Sequence, residues 1–260
     1  MFSNTDILEA AMYQSAIDSH CHPDDFQKTE PVIVFSQPDP RCRKYLELPF
    51  FCDLVSYGNN VVASISPTIL DPISQYLNRY PAEHCFETPH LHILNRELEK
   101  SGMQVCFMAE YFLPDSNRLV SLSCPYELRI LESSDFSPLY TPAWENALCE
   151  KCRELDVLGI GAYHNGQLVG LAACSADCDS MWQIGIDVLP EYRRQGIASA
   201  LTSRLALEIL ARGKIPFYCA AWSNIKSVRN AIKSGFRPAW VELTAKSRET
   251  VQRMNREEFF

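Results

Sequence analysis

Asp187-Val188-Leu189-Pro190-Glu191-Tyr192-Arg193-Arg194-Gln195-Gly196-Ile197-Ala198 is the stretch whose reading decides the fold. It reads as the end of an apolar strand, Trp182 to Leu189, then a turn, then a glycine-bearing loop that opens a helix. Ile197, Leu201, Leu205 and Ile209 recur at helical period and give that helix one apolar stripe. A helix N-terminus presents unpaired N–H groups and the positive end of the peptide dipoles. A glycine there lets an anion approach the backbone closely, and Arg193 and Arg194 add positive charge at the same place. These features predict a pyrophosphate cradle, with neither the Walker spacing nor the three-glycine dinucleotide spacing.

A second unit of pattern follows. The strand Pro216 to Ala221 leads into Asn224-Ile225-Lys226-Ser227, which opens another helix closing at Lys233-Ser234-Gly235-Phe236. With Val188-x-Pro190 and Arg193-x-x-Gly196-x-Ala198 ahead of it, this order resembles the acyl-CoA-binding region of the GNAT superfamily of N-acyltransferases. The resemblance runs from about Tyr126 to about Thr244. It implies an α/β fold, a GNAT-like mixed, largely antiparallel sheet flanked by helices. It also implies acetyl-CoA as co-substrate and no metal. The CoA arm would lie along Ile186, Asp187 and Val188, with the Val188 N–H polarising the thioester. The pyrophosphate would rest on Arg193, Arg194, Gln195, Gly196, Ile197, Ala198 and Ser199, and Asn224 and Ser227 would help hold the arm.

The departures from the family pattern bear on chemistry. The tyrosine that often serves as general acid, seven residues after the asparagine, is Ala231 here. A glutamate base position, five residues before it, is Cys219, and a further base position falls near Trp182. Asp187, Tyr218 and Ser227 are the nearest substitutes and are the candidate catalytic residues. Otherwise water takes the amine proton and the thiolate leaves unaided, or the domain binds acyl-CoA without turning it over. Cys219, in an apolar strand, reads as an inert thiol. Trp222 reads more readily as a core aromatic than as a wall of the acceptor pocket.

Composition bounds these readings. The chain has 260 residues, 47% hydrophobic and 22% charged, enough for one or two globular domains with a sizeable core. A net charge of −8 argues against a nucleic-acid partner and favours cationic ones such as amines. No apolar run reaches membrane length, and the N-terminus lacks the basic and apolar regions of a signal peptide, so the expected location is cytoplasmic, away from membranes. The 11 cysteines read mainly as small buried hydrophobes. Cys149-x-x-Cys152 and Cys174-x-x-x-Cys178 have zinc-like spacing, but one pair falls in a predicted helix and the other begins inside a predicted strand.

The expected organisation is a smaller N-terminal α/β domain, 1–118, and an acyl-CoA-binding domain, 119–260. The first has a helix from Asp6 to Ile17 capped by Asn4 or Thr5, strands at 31–36 and 60–65, helices at 71–77 and 91–100, and a long strand from Met103 to Phe112. The second opens with a strand, Glu127 to Leu131, and a helix, Trp144 to Leu155. A hairpin then turns at Asn165-Gly166. Strand Ala239 to Thr244 closes the domain, and Lys246 to Phe260 is assigned no structure. Asp18-Ser19-His20-Cys21-His22 resembles the metal motif of TatD-like amidohydrolases, but the segment before it reads as a helix rather than a barrel strand. The expected function is transfer of an acetyl group to a primary amine of a small molecule or peptide. The alternatives are a non-catalytic acyl-CoA-binding regulatory module and a metal hydrolase. The N-terminal unit is available to close the acceptor site or to form a homodimer surface.

Overall fold

The Gly196 turn lies where the sequence places it, between a strand and a helix. The computed structural model describes residues 2–256. In chain order the elements are α1 (Asn4–Ser19), β1 (Val32–Phe35), β2 (Cys52–Ser56), β3 (Val62–Ile65), α2 (Leu70–Arg79), α3 (Thr88–Glu99), β4 (Met103–Pro114) and β5 (Glu127–Glu132). Then come β6 (Asp156–His164), β7 (Gln167–Ser175), β8 (Met181–Val188), α4 (Ile197–Ala211), β9 (Ile215–Ala220), α5 (Ile225–Lys233), β10 (Phe236–Ser247) and α6 (Arg248–Arg256). Residues up to Ala11 and Tyr111–Ala239 form one compact unit; Met12–Glu110 and residues from Trp240 on form the other. These units do not divide at 118/119.

The first unit holds the Gly196 loop. Its strands neighbour one another in the order β9, β8, β7, β6, β5. β5–β6, β6–β7 and β7–β8 pair antiparallel, and β8–β9 pair parallel. The Asn165-Gly166 hairpin forms as expected, with φ of 51° and 82° at the two turn residues. One face of the sheet packs Ile160, Ala172, Ile184 and Tyr218 against Ile197, Leu201, Leu205 and Ile209, so the stripe read from sequence is the buried face of α4. On the opposite face Leu131, Leu171 and Ala173 pack with Phe136, Trp144, Ala147 and Leu148.

In the second unit β2 pairs antiparallel with β3 and β10, and β1 pairs parallel with β3. Leu54, Ile65 and Leu243 pack with Ile73 and Leu77 of α2 and Leu94 and Leu98 of α3. Across both units the fold is the mixed, largely antiparallel α/β architecture expected.

Four expectations change. Residues 144–155 form 3-10 turns rather than a helix, because side-chain carboxylates from elsewhere in the unit take their N–H groups, as described below. The C-terminal segment is ordered: β10 runs to Ser247 and α6 follows, while 257–260 lie outside the described residues. Ser3 caps α1, its hydroxyl accepting from the Asp6 N–H at 3.1 Å, so Asn4 and Thr5 lie inside the helix. Trp222 is 64% exposed and is not a core aromatic.

His22 has a local role: its Nδ1 accepts from the Asp24 N–H at 3.3 Å and caps a 3-10 turn that follows α1. Among the described residues no group of three or more His, Cys, Asp or Glu side chains is disposed to hold a metal ion. No described helix is long and apolar enough to cross a membrane.

Candidate functional site

The site begins where β8 loses a neighbour. Its parallel register with β9 covers only Met181, Trp182 and Gln183, opposite Ile215, Pro216 and Phe217. The antiparallel pairing with β7 continues to Val188. From Ile184 on, one edge of β8 has no assigned partner in β9. Leu189 donates its N–H to Val169 C=O at 3.0 Å, on the β7 side. Backbone groups alternate direction along a strand, so the Val188 and Ile186 N–H groups face the uncovered edge. The Val188 carbonyl on that edge accepts from Arg193 Nε at 2.9 Å. Arg193 therefore fixes the strand to the turn through Nε, and the exposed Arg194 guanidinium has no hydrogen-bond partner or ion pair among the described residues.

The loop then turns into α4 through two left-handed residues, Arg194 at φ 65° and Gly196 at φ 83°. A side chain at that φ is strained, which explains the glycine. A Cβ added at Gly196 would meet no atom within 4 Å, so the space in front of the loop is open. The Ala200 N–H closes the first turn of α4 onto Gly196 C=O at 3.1 Å. The N–H groups ahead of it, from Arg194 to Ser199, have no acceptor among the described residues. The side chains of Ile197 and Ser199 are buried. Gln195 is fixed from outside: the Tyr126 hydroxyl donates to its Oε1 at 2.7 Å. Tyr126, His164 and Tyr192 form a ring cluster beside the loop, with centroids 5.1–5.7 Å apart. Sequence reading missed Tyr126 and His164, which carry no local motif.

The second junction is capped differently. Asn224 Oδ1 accepts from the Ser227 N–H at 3.3 Å, closing the N-terminus of α5. The Ser227 hydroxyl in turn bonds the Tyr218 hydroxyl at 2.8 Å. Burial pushes the Tyr218 phenol up from its ordinary value, against hydrogen bonds with Ser227 and Asn230, so it stays protonated at neutral pH. Ala231 is fully buried in the same core as Tyr218, so the position where the family resemblance implies a general acid faces packed side chains. Asn224, Ser227 and Tyr218 are thus brought together.

Asp187 points to the opposite face, away from that group. Its Oδ2 accepts from the N–H groups of Asn146 (2.9 Å) and Ala147 (3.0 Å), and its Oδ1 from Asn146 Nδ2 at 2.8 Å. Burial raises its pKa and these bonds oppose the rise. The strap 142–155 therefore rests on β8, and it does so closely: a Cβ at Gly185 would run into the Asn146 carbonyl. Asp156 makes the strap's second anchor. It is 2% exposed and accepts from the Cys149 N–H at 2.9 Å and the Tyr140 hydroxyl at 3.2 Å. Burial pushes its carboxyl up to about 6. Beside the strap, Gln183 Nε2 donates to Cys219 Sγ at 3.2 Å.

A model of the GNAT acetyltransferase family matches residues 83–239, more than half of the chain, and the protein belongs to that family. The match begins within the region that sequence reading assigned to a separate N-terminal domain. Solved structures of GNAT-family proteins resemble the chain distantly. One from Novosphingobium aromaticivorans is 20% identical over 55% of this chain and 66% of its own, with a TM-score of 0.45. A GCN5-related N-acetyltransferase-like protein from Streptococcus suis is 20% identical over 61% and 69%, with a TM-score of 0.44. A GNAT-family acetyltransferase from Colwellia psychrerythraea is 18% identical over 55% and 57%, with a TM-score of 0.43. The chain spans just under two thirds of the first of these relatives and less of the third. No curated protein matches it.

Proposed function

We propose that the protein is an N-acetyltransferase that moves the acetyl group of acetyl-CoA to a primary amine of a small molecule or peptide, by direct attack in a ternary complex. The observation that carries this reading is the run of unpaired N–H groups from Arg194 to Ser199, set on left-handed residues beside the uncovered edge of β8. A pyrophosphate suits that run, since N–H groups and the helix dipole point at it without desolvating a side chain. The arm of the donor lies along Ile186, Asp187 and Val188. There the Val188 N–H meets the thioester carbonyl and stabilises the oxyanion that forms when the amine attacks. The amine loses its proton to water, and the thiolate takes one through Ser227 from Tyr218, whose phenol is protonated at neutral pH. Asp187, its oxygens engaged by the strap, serves as a positioning residue. The net charge of −8 favours a cationic acceptor.

Calorimetric titration with acetyl-CoA, followed by an amine screen for free thiol release, tests this reading. Saturable binding with turnover supports it, and absence of binding removes it. A second reading, a non-catalytic acyl-CoA-binding module, is favoured by Ala231 in the core and by the Cys219 thiol facing Gln183, at the positions where the family resemblance implies an acid and a base. Binding without thiol release on any amine distinguishes it.

A further inference from the structure

Cys149 is the exposed cysteine; Cys152 is half-buried, as are Cys21, Cys106, Cys124 and Cys219, and Cys42, Cys52, Cys85, Cys174 and Cys178 are buried. Cys149 and Cys152 also end a single tight turn, in which the Cys152 N–H donates to Cys149 C=O at 3.0 Å. A turn closed in this way holds its end Cα atoms within about 7 Å. A disulfide spans Cα atoms about 4.4–6.8 Å apart. The backbone at Cys152 leaves helical geometry, at φ −134° and ψ 46°, so no continuous helix holds the two side chains apart. The neighbouring Cys149 side chain, ahead of burial, keeps the Cys152 thiol above its ordinary range. The turn sits on the strap between its anchors, with Asn146 and Ala147 holding Asp187 before it and the Cys149 N–H holding Asp156 within it.

We propose that Cys149 and Cys152 form a reversible disulfide, which makes this turn a redox-modification site reacting with diffusible disulfides such as oxidised glutathione. The exposed Cys149 thiolate attacks one sulfur of the small disulfide, whose S–S bond breaks and releases one thiolate. Cys152 then attacks the Cys149 sulfur of the mixed disulfide, forms the internal S–S bond and releases the second. The two protein thiols are oxidised, the small disulfide is reduced to two thiols, and the two cysteine protons end on them.

The test incubates the full chain with oxidised glutathione, denatures it, alkylates the remaining thiols and digests with trypsin. Cleavage after Lys151 separates the two cysteines, so a bridge leaves segments 130–151 and 152–153 joined. The expected result is the joined pair as the main oxidised product, released by dithiothreitol, with two fewer alkylated thiols per chain. Cys149→Ser and Cys152→Ser should each abolish the joined pair, with a glutathione adduct on the remaining cysteine. Full alkylation of both residues after oxidation would overturn the proposal. So would an equal loss of thiols in the double serine variant, or a zinc ion that co-purifies with the chain and shields both thiols.

Discussion

The first unit contains two strand-to-helix junctions of opposite design. At β9–α5 the helix is closed by its own chain: Asn224 Oδ1 takes the Ser227 N–H. At β8–α4 the cap position is Gly196, which has no side chain, and the N–H groups from Arg194 to Ser199 stay unpaired among the described residues. Both helices pay the same cost of orphaned donors. One satisfies them internally and the other leaves them open, as the proposed donor site requires. The second course also asks for strained backbone at Arg194. The contrast teaches that the proposed donor site is a cap left unmade, whose chemistry would reside in the backbone more than in Arg193 or Arg194.

The largest effect should come from filling the open junction. Gly196→Glu places a charged side chain where the pyrophosphate would lie, and should weaken acetyl-CoA affinity by at least about 100-fold in calorimetry while the chain still folds. An unchanged affinity would break the comparison outright. Tyr218→Phe sharpens it from the capped side. It should lower kcat about 10–100-fold with donor affinity unchanged, because it removes the proton behind Ser227 and leaves the cap in place. An unchanged kcat would remove Tyr218 from the mechanism.

Asp187→Asn separates the open junction from the strap beneath it. Losing an ionic acceptor of two N–H groups should cost roughly 1–3 kcal/mol of stability in denaturant unfolding. Acetyl-CoA affinity and kcat should stay within about threefold, whereas a catalytic base at this position would cost about 100-fold or more in kcat. Asp156 gives the corresponding pH test. Its carboxyl moves from an ordinary 3.8 to about 6 on folding, so the folded state holds the proton more tightly. Stability from this group is complete below pH 3.8 and is lost as pH rises to about 6. Wild-type unfolding curves should lose roughly 1–3 kcal/mol across that window, and Asp156→Asn should flatten the dependence. Acetyl-CoA affinity should not follow it, since Asp156 touches neither junction. The smallest effect is expected from Asn224→Ala, about 1 kcal/mol of stability from the lost cap. A loss of donor affinity beyond about tenfold in that variant would show that the second junction also grips the ligand.

The sequence by itself determined the elements whose signals are local. The stripe Ile197, Leu201, Leu205 and Ile209 gave α4, Asn165-Gly166 gave the hairpin turn, and Gly196 after a strand gave the open loop. Each depends on residues within one or two turns of chain, where period and φ preference act directly. Tertiary structure decided what depends on distant partners. Residues 144–155 carry an adequate helical pattern, yet Asp187, some 40 residues on, takes the Asn146 and Ala147 N–H groups and Asp156 takes that of Cys149. A buried carboxylate that needs several donors outcompetes a short helix whose intrinsic propensity is worth little. Likewise Arg193 reads as phosphate charge but bonds Val188, and Trp222 reads as core but lies exposed. The hydroxyl pair of Tyr218 and Ser227 joins a strand to a helix. None of these outcomes has a local signal, because each is fixed by which groups the folded sheet brings within hydrogen-bonding reach.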